Sequence, residues 1–256
     1  MTPDDMGFGG NLPSIPKSRK YQDKPLEEHA VRELQKVIDT CNAEGHLRFQ
    51  MVTGSKGAFE GLLARSFDGV SNYVALVKKK DDPDEKVGYY GEKVVLHAQM
   101  LGMNTCWVGL TYSKRKLDIH VGKDEKLVCV LALGYGADQG MAHKSKPMGE
   151  LCGCDGDMPE WFRNGMEAAV LAPTAMNKQK FRFTLNGDGK VSAETAGDPY
   201  TRSTWASRSC TSSWAPGMTT SSGPEAAPSP STAGRGIFTQ QLPREEDCSV
   251  PSMYCS

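Results

Sequence analysis

Between Gly88 and Gly109 the sequence passes from a helix into a strand with a single glycine turn between them. Val87, Val94, Val95, Ala98 and Leu101 recur at helical spacing and form one apolar stripe, with Asp84 near the start. Gly102 ends the helix, and residues 105–110 read as a short strand. A helix joined so tightly to a strand must lie against the sheet that the strand enters. Residues 126–133 supply the centre of such a sheet, an unbroken apolar run between turn signals, as expected of a strand buried on both faces. Residues 73–77 are a second apolar run of strand length, followed at 78–86 by charges that read as a solvated segment. Upstream, Leu26, Ala30, Leu34, Val37, Ile38 and Cys41 share a helical face, and residues 47–52 alternate as a strand does.

A second unit opens near Met158. Pro159 suits a first helical position, and Trp161, Met166, Ala169 and Val170 follow with helical periodicity. Residues 181–185 and 190–193 form a hairpin about Asn186-Gly-Asp-Gly189. Helix followed by strand therefore occurs twice, at 26–52 and at 159–185, the pattern of an internal duplication. Residues 1–17 lack periodicity and read as a flexible lead.

The formal net charge of −1 gives no reason to expect a nucleic-acid or membrane-surface partner. No apolar run approaches the roughly 20 residues needed to cross a bilayer, and the first eleven residues do not form a signal peptide. A cytoplasmic protein is expected. Eight cysteines in 256 residues do not make a disulfide scaffold. Cys41, Cys106 and Cys129 lie in apolar segments and read as small buried residues. Cys152-Gly-Cys154 lacks the spacing of zinc and redox motifs, and the five histidines are scattered, so no metal site is expected.

Four segments taken together resemble the nitroreductase family of FMN-dependent oxidoreductases. They are 88–109, Lys17-Ser-Arg-Lys-Tyr21, the Gly134-Tyr-Gly136 turn with its downstream lysines, and Ala172-Pro-Thr-Ala-Met-Asn-Lys-Gln-Lys-Phe181. The resemblance is to the tandem subfamily called putative TM nitroreductases, and it covers about residues 19–200. It implies a three-layer α+β fold, a central mixed sheet flanked by helices, in which two fused half-domains form an internal pseudo-dimer. The implied divisions are a lead at 1–17, a first half at 18–150, a truncated second half at 151–200 and a tail at 201–256.

The resemblance also implies a site. FMN phosphate would meet Lys17, Ser18 and Arg19, with Ile15 and Lys17 standing where the family has its first arginine and its serine. Lys144 and Lys146 would form a second phosphate contact, as point charges in place of a guanidinium fork. Val108 and Gly109 would lie beside the flavin ring. Pro173, Thr174, Ala175 and Asn177 would reach that site from the second half, while Gln179 fixes backbone. The implied chemistry is ping-pong hydride transfer from NADH or NADPH, a transient donor, to a nitroaromatic, quinone or similar acceptor. The flavin carries the reaction, so no catalytic residue is expected. A monomer or a homodimer fits this scheme. Two other readings are a flavin-binding or flavin-less protein of this fold without turnover, and a mixed-charge scaffold for protein partners.

After Thr201 the composition changes: Ser, Thr, Pro, Ala and Gly dominate, as in a disordered tail, yet Trp205, Trp214 and three cysteines are present. Restoring one base at the Arg202 codon lets the same bases read T-K-V-D-L-G-I-A-K-L-H-F-E-L-G-A-G, an amphipathic helix resembling the family's ending. A shifted reading frame from residue 202 onward is therefore expected.

Overall fold

The computed structural model describes residues 18–60, 64, 66–138, 144–154, 156–171, 174, 177–187, 189, 191–195 and 238–240. Two sheets organise them. The first contains β1 (Gln50–Val52), β2 (Asn72–Lys79), β3 (Asn104–Val108) and β4 (Glu125–Gly134) in the order β1-β2-β4-β3. All of its pairings are antiparallel. The second contains β5 (Cys152–Cys154), β6 (Phe181–Leu185), β7 (Val191–Thr195) and β8 (Phe238–Gln240) in sequence order, with β5 and β6 parallel. The mixed character expected of a central sheet is thus confined to the second sheet.

Strand alternation in the first sheet sorts its side chains onto two cores. On one face Val74, Leu76, Leu131 and Leu133 meet α1 (Glu28–Gly45) and α2 (Asp84–Met100), which supply Leu34, Ile38, Val87 and Val94. Each fully buried aliphatic side chain contributes about 1.5–3 kcal/mol. On the other face Tyr73, Cys106, Val108, Val130 and Ala132 are covered by Tyr21, Phe59, Val70 and Tyr112, which come from loops and short 3₁₀ turns. Among the described residues, helices therefore flank one face of this sheet. The second sheet has its own core, where Leu151 and Phe162 pack on Phe181, Phe183 and Leu185. Phe162 belongs to α4 (Glu160–Leu171), and Leu151 ends the short α3 (Met148–Leu151).

The expected strand over 47–52 is shorter, Gln50–Val52, although Leu47 and Phe49 remain buried. Pro159 accepts the hydrogen bond that starts α4, from Arg163 N–H at 3.0 Å. The hairpin forms where it was expected, closed by Gly189 N–H donating to Asn186 O at 2.9 Å. Within the expected tail, Phe238–Gln240 pairs antiparallel with β7. Cys41, Cys106 and Cys129 are buried free thiols, and burial pushes the Cys41 and Cys129 thiols up to about 12.

One sequence expectation fails at an instructive place. The charged run 78–86 is expected to be solvated, but Lys78 is only 2% exposed. Its ammonium lies 3.1 Å from an Asp84 carboxylate oxygen and donates to the carbonyls of Lys80 and Asp82. The β2–β4 register slips between Leu76 and Val77, just before this residue. Such an irregularity re-aims the side chains that follow it.

Candidate functional site

The N-terminal strap is held by backbone hydrogen bonds to two loops. Tyr21 N–H donates to Asp68 O, Gln22 N–H to Tyr135 O, and Ala137 N–H to Lys20 O, each at 2.9 Å. Gln22 Nε2 adds a bond to Gly136 O at 2.8 Å. The Gly134-Tyr-Gly136 turn is glycine-rich for a packing reason. A Cβ on Gly134 would sit 2.8 Å from the Tyr21 ring, and one on Gly136 would sit 2.5 Å from Asp138 O. Asn104 Oδ1 accepts from Gly136 N–H at 2.9 Å, which ties the turn to the start of β3. The strap and the Gly-Tyr-Gly turn therefore form one unit.

Within it, Ser18 is fully buried. Its hydroxyl donates to Lys20 O at 2.7 Å and lies 3.4 Å from Asp138 Oδ1, so it faces inward. Arg19 is exposed, with its guanidinium 5.7 Å from the centre of the Phe67 ring. Tyr21 packs into the same core as Cys106 and Val108. Its hydroxyl has no hydrogen-bond partner among the described residues. Burial, then the charges of Cys106 and Asp138, hold its phenol well above the usual tyrosine range. Val108 is itself buried and pairs with Val130 at the end of β3, an edge strand among the described residues. Gly109 follows at the surface transition, half-buried.

The second group is built around Gln179, which is 3% exposed. Its Nε2 donates to Lys144 O at 2.8 Å and to Asn177 Oδ1 at 3.1 Å, while its Oε1 accepts from Lys146 N–H at 2.9 Å. Asn177 Nδ2 also donates to Lys144 O, at 2.9 Å. Thr174 Oγ1 accepts from Gln179 N–H at 3.3 Å, and Thr174 O accepts from Asn177 N–H at 3.0 Å. Asn177 and Gln179 both adopt left-handed backbone, with φ of 53° and 47°, which lets their side chains fold back on the 144–146 loop. Lys144 and Lys146 project outward; Lys146 Nζ stands 4.0 Å from Glu150.

The expected site residues thus resolve into two described groups. Lys144, Lys146, Thr174 and Asn177 come together through Gln179. Ser18 and Arg19 lie on a strap sharing the Tyr21–Val108 core. Lys17, Pro173 and Ala175 lie outside the described residues. A groove of about 570 Å³, lined by Leu26, Val31, Arg32, Thr53, Lys56 and Asn72 among others, contains none of the expected residues. Among the described residues no cluster of His, Cys, Asp and Glu has the makings of a metal site. None of their helices is long and apolar enough to cross a membrane.

The donor chemistry fits a flavin phosphate unevenly. Two exposed ammonium groups on a loop clamped by Gln179, and an exposed guanidinium at Arg19, suit a dianion. Ser18 does not, because its hydroxyl already has acceptors. Lys114-Arg115-Lys116, three consecutive exposed cations soon after Gly109, form a further basic group outside the expected site.

The chain matches the family model described as "Putative TM nitroreductase" over residues 16–211. No curated protein matches it in sequence. Among solved structures it is similar to a putative nitroreductase from Thermotoga maritima, at 14% identity and a TM-score of 0.55, with 83% of this chain and 82% of that one covered. At that identity the likeness speaks for the fold. A putative nitroreductase in complex with FMN from Desulfovibrio desulfuricans overlaps 54% of this chain and 90% of its own, at 15% identity and a TM-score of 0.44. An FMN-dependent nitroreductase from Clostridium difficile overlaps 50% of this chain and 87% of its own, at 16% identity and a TM-score of 0.39. These two likenesses are too loose to reason from.

Proposed function

The chain belongs to the putative TM nitroreductase family, a family of oxidoreductases, and from that premise we propose that it is an FMN-dependent NAD(P)H oxidoreductase. Its acceptors are nitroaromatics, quinones or similar electron-poor molecules. The observation that carries this reading is the Gln179 clamp, which fixes the backbone of Lys144 and Lys146 and leaves their ammonium groups outward.

In this reading Lys144, Lys146 and Arg19 hold the FMN phosphate, and Thr174, Asn177 and Gln179 position the lysine loop. The backbone of Val108 and Gly109 borders the flavin ring. Bound there, FMN would supply ping-pong two-electron chemistry, accepting hydride from NADH or NADPH and then reducing the acceptor. The two helix-then-strand units, α1 to β1 and α4 to β6, support an internal pseudo-dimer that completes one site within a monomer, and a homodimer remains compatible with it. The cytoplasm supplies both forms of the donor, so it is the compartment proposed. A shifted frame from residue 202 belongs to the same reading, and resequencing that codon tests it.

A second reading, a flavin-binding protein without turnover, is favoured by one observation, the inward hydroxyl of Ser18. The visible spectrum of the purified protein, before and after anaerobic NADPH, separates the two. The oxidoreductase reading expects a bound-flavin band that bleaches, and at least about tenfold weaker FMN binding in Lys144→Ala/Lys146→Ala, since a charged hydrogen bond contributes about 1.5–3 kcal/mol. A flavin band that NADPH leaves untouched supports the second reading. Folded protein that takes up no FMN would sink both.

A further inference from the structure

We propose that the basic turn Lys114-Arg115-Lys116, with Leu110 beside it, binds the adenosine 2′-phosphate end of NADPH and so selects the phosphorylated donor over NADH. The proposal rests on the flavin site above, because that site places the nicotinamide near Gly109.

The turn is rigidly mounted. Tyr112 is buried in the core on one side, and Leu117 packs against that core on the other. Ser113 N–H donates to Ala58 O at 2.8 Å, and Lys116 N–H closes the 3₁₀ turn on Ser113 O at 3.1 Å. Between these anchors all three cationic side chains are exposed. None of them has an ion-pair partner among the described residues. Several cations elsewhere are paired, among them Arg32 with Glu28, Lys36 with Glu33 and Lys93 with Glu44. The adjacent Lys56 is already paired with Asp23 at 2.9 Å. Three neighbouring like charges fixed on a short turn repel one another, and a dianion relieves that repulsion.

The chemistry of the turn suits a sugar phosphate attached to a base. Arg115 offers a planar fork for phosphate oxygens, and the two lysines add point charges. Leu110, 71% exposed, is a large apolar side chain at the surface and offers a face to adenine. Reach is adequate as well. Five residue steps separate Gly109 from Lys114, a span of at most about 18 Å even if fully extended. A dinucleotide lying along the surface can therefore place its nicotinamide at the end of β3 and its 2′-phosphate on the turn. NADH lacks that phosphate and would leave the cations uncompensated.

Calorimetric titration of the full chain with 2′,5′-ADP and with 5′-AMP tests this without any turnover. The expected result is 2′,5′-ADP binding at least tenfold tighter than 5′-AMP. Arg115→Gln should weaken 2′,5′-ADP several-fold, and the Lys114→Gln/Arg115→Gln/Lys116→Gln variant should abolish the difference between the two ligands. Equal binding of the two ligands overturns the proposal, as does a preference that survives the triple substitution. Competition between FMN and 2′,5′-ADP overturns it too, because the turn would then be part of the flavin site. The titration needs no flavin, so protein that takes up no FMN yet still separates the ligands would refute the oxidoreductase reading and leave the phosphate site standing.

Discussion

At Gln179 three side-chain hydrogen bonds close, and two of their partners are backbone atoms 33 and 35 residues away. Gln179→Ala removes a donor and an acceptor together, and Lys146 N–H loses its described partner. It should cost about 1–3 kcal/mol, and hydrogen exchange at the Lys146 amide should accelerate. Gln179→Glu keeps the acceptor but turns a carboxylate oxygen toward Lys144 O and Asn177 Oδ1. Urea unfolding at pH 7 should therefore show it no more stable than the alanine variant; a neutral Gln179→Glu would rule out the clamp as drawn. His97 offers a second test at this scale. Burial holds its imidazole below the usual histidine range, partly offset by its bond to Lys93 O at 2.8 Å. The unfolded chain then binds the proton more readily, so stability is present above pH 6.5 or so and declines as pH falls from there toward the lowered value. His97→Gln should flatten the stability profile in that window; an unchanged slope would assign it to other groups.

Among the elements, the β2–α2 connection joins sheet to helix through charge. Lys78 leaves the strand with its side chain 3% exposed, whereas its partner Asp84, in the first turn of α2, is 27% exposed. That asymmetry predicts an order of damage. Lys78→Met leaves a carboxylate that still reaches water and favours the helix N-terminus. Asp84→Asn leaves a buried ammonium without its counter-charge, the more costly state. Asp84→Asn should lower the urea midpoint further than Lys78→Met, and the reverse order would mean that the carbonyls of Lys80 and Asp82 suffice to hold the charge. The α2–β3 junction depends on close approach. A Cβ on Gly91 would lie 2.6 Å from the Trp107 ring, whose Nε1 donates to the buried Glu92 at 3.2 Å. Helix periodicity displayed the apolar stripe of α2; it held no sign that a glycine in the stripe makes room for an indole one strand away.

For the whole molecule, the separation of the cores makes a quantitative statement. Leu34, fully buried, belongs to the helix-covered face of the first sheet, and Phe162 to the core of the second. Leu34→Ala should cost about 2–5 kcal/mol and Phe162→Ala about 3–5 kcal/mol. Lying in clusters with no shared members, their effects should add within about 0.5 kcal/mol. A coupling well above that would show the two sheets acting as one packed body.

The sequence by itself determined the helices at 28–45 and 84–100, the central β4 and the β6–β7 hairpin, because periodicity, glycine stops and turn residues act over a few positions, and its family resemblance carried the α+β class. Family resemblance offered Lys144, Lys146, Thr174 and Asn177 among eleven residues of a single expected site. Tertiary structure alone decided what each polar group faces. It turned Ser18 inward, buried Lys78 beyond a register slip, and made Gln179 the hub joining two distant segments. The Gln179 hub depends on partners 33 and 35 positions away, and the inward Ser18 also meets Asp138, 120 positions away. The balance between a solvated and a satisfied buried polar group is set by whichever partner the fold delivers.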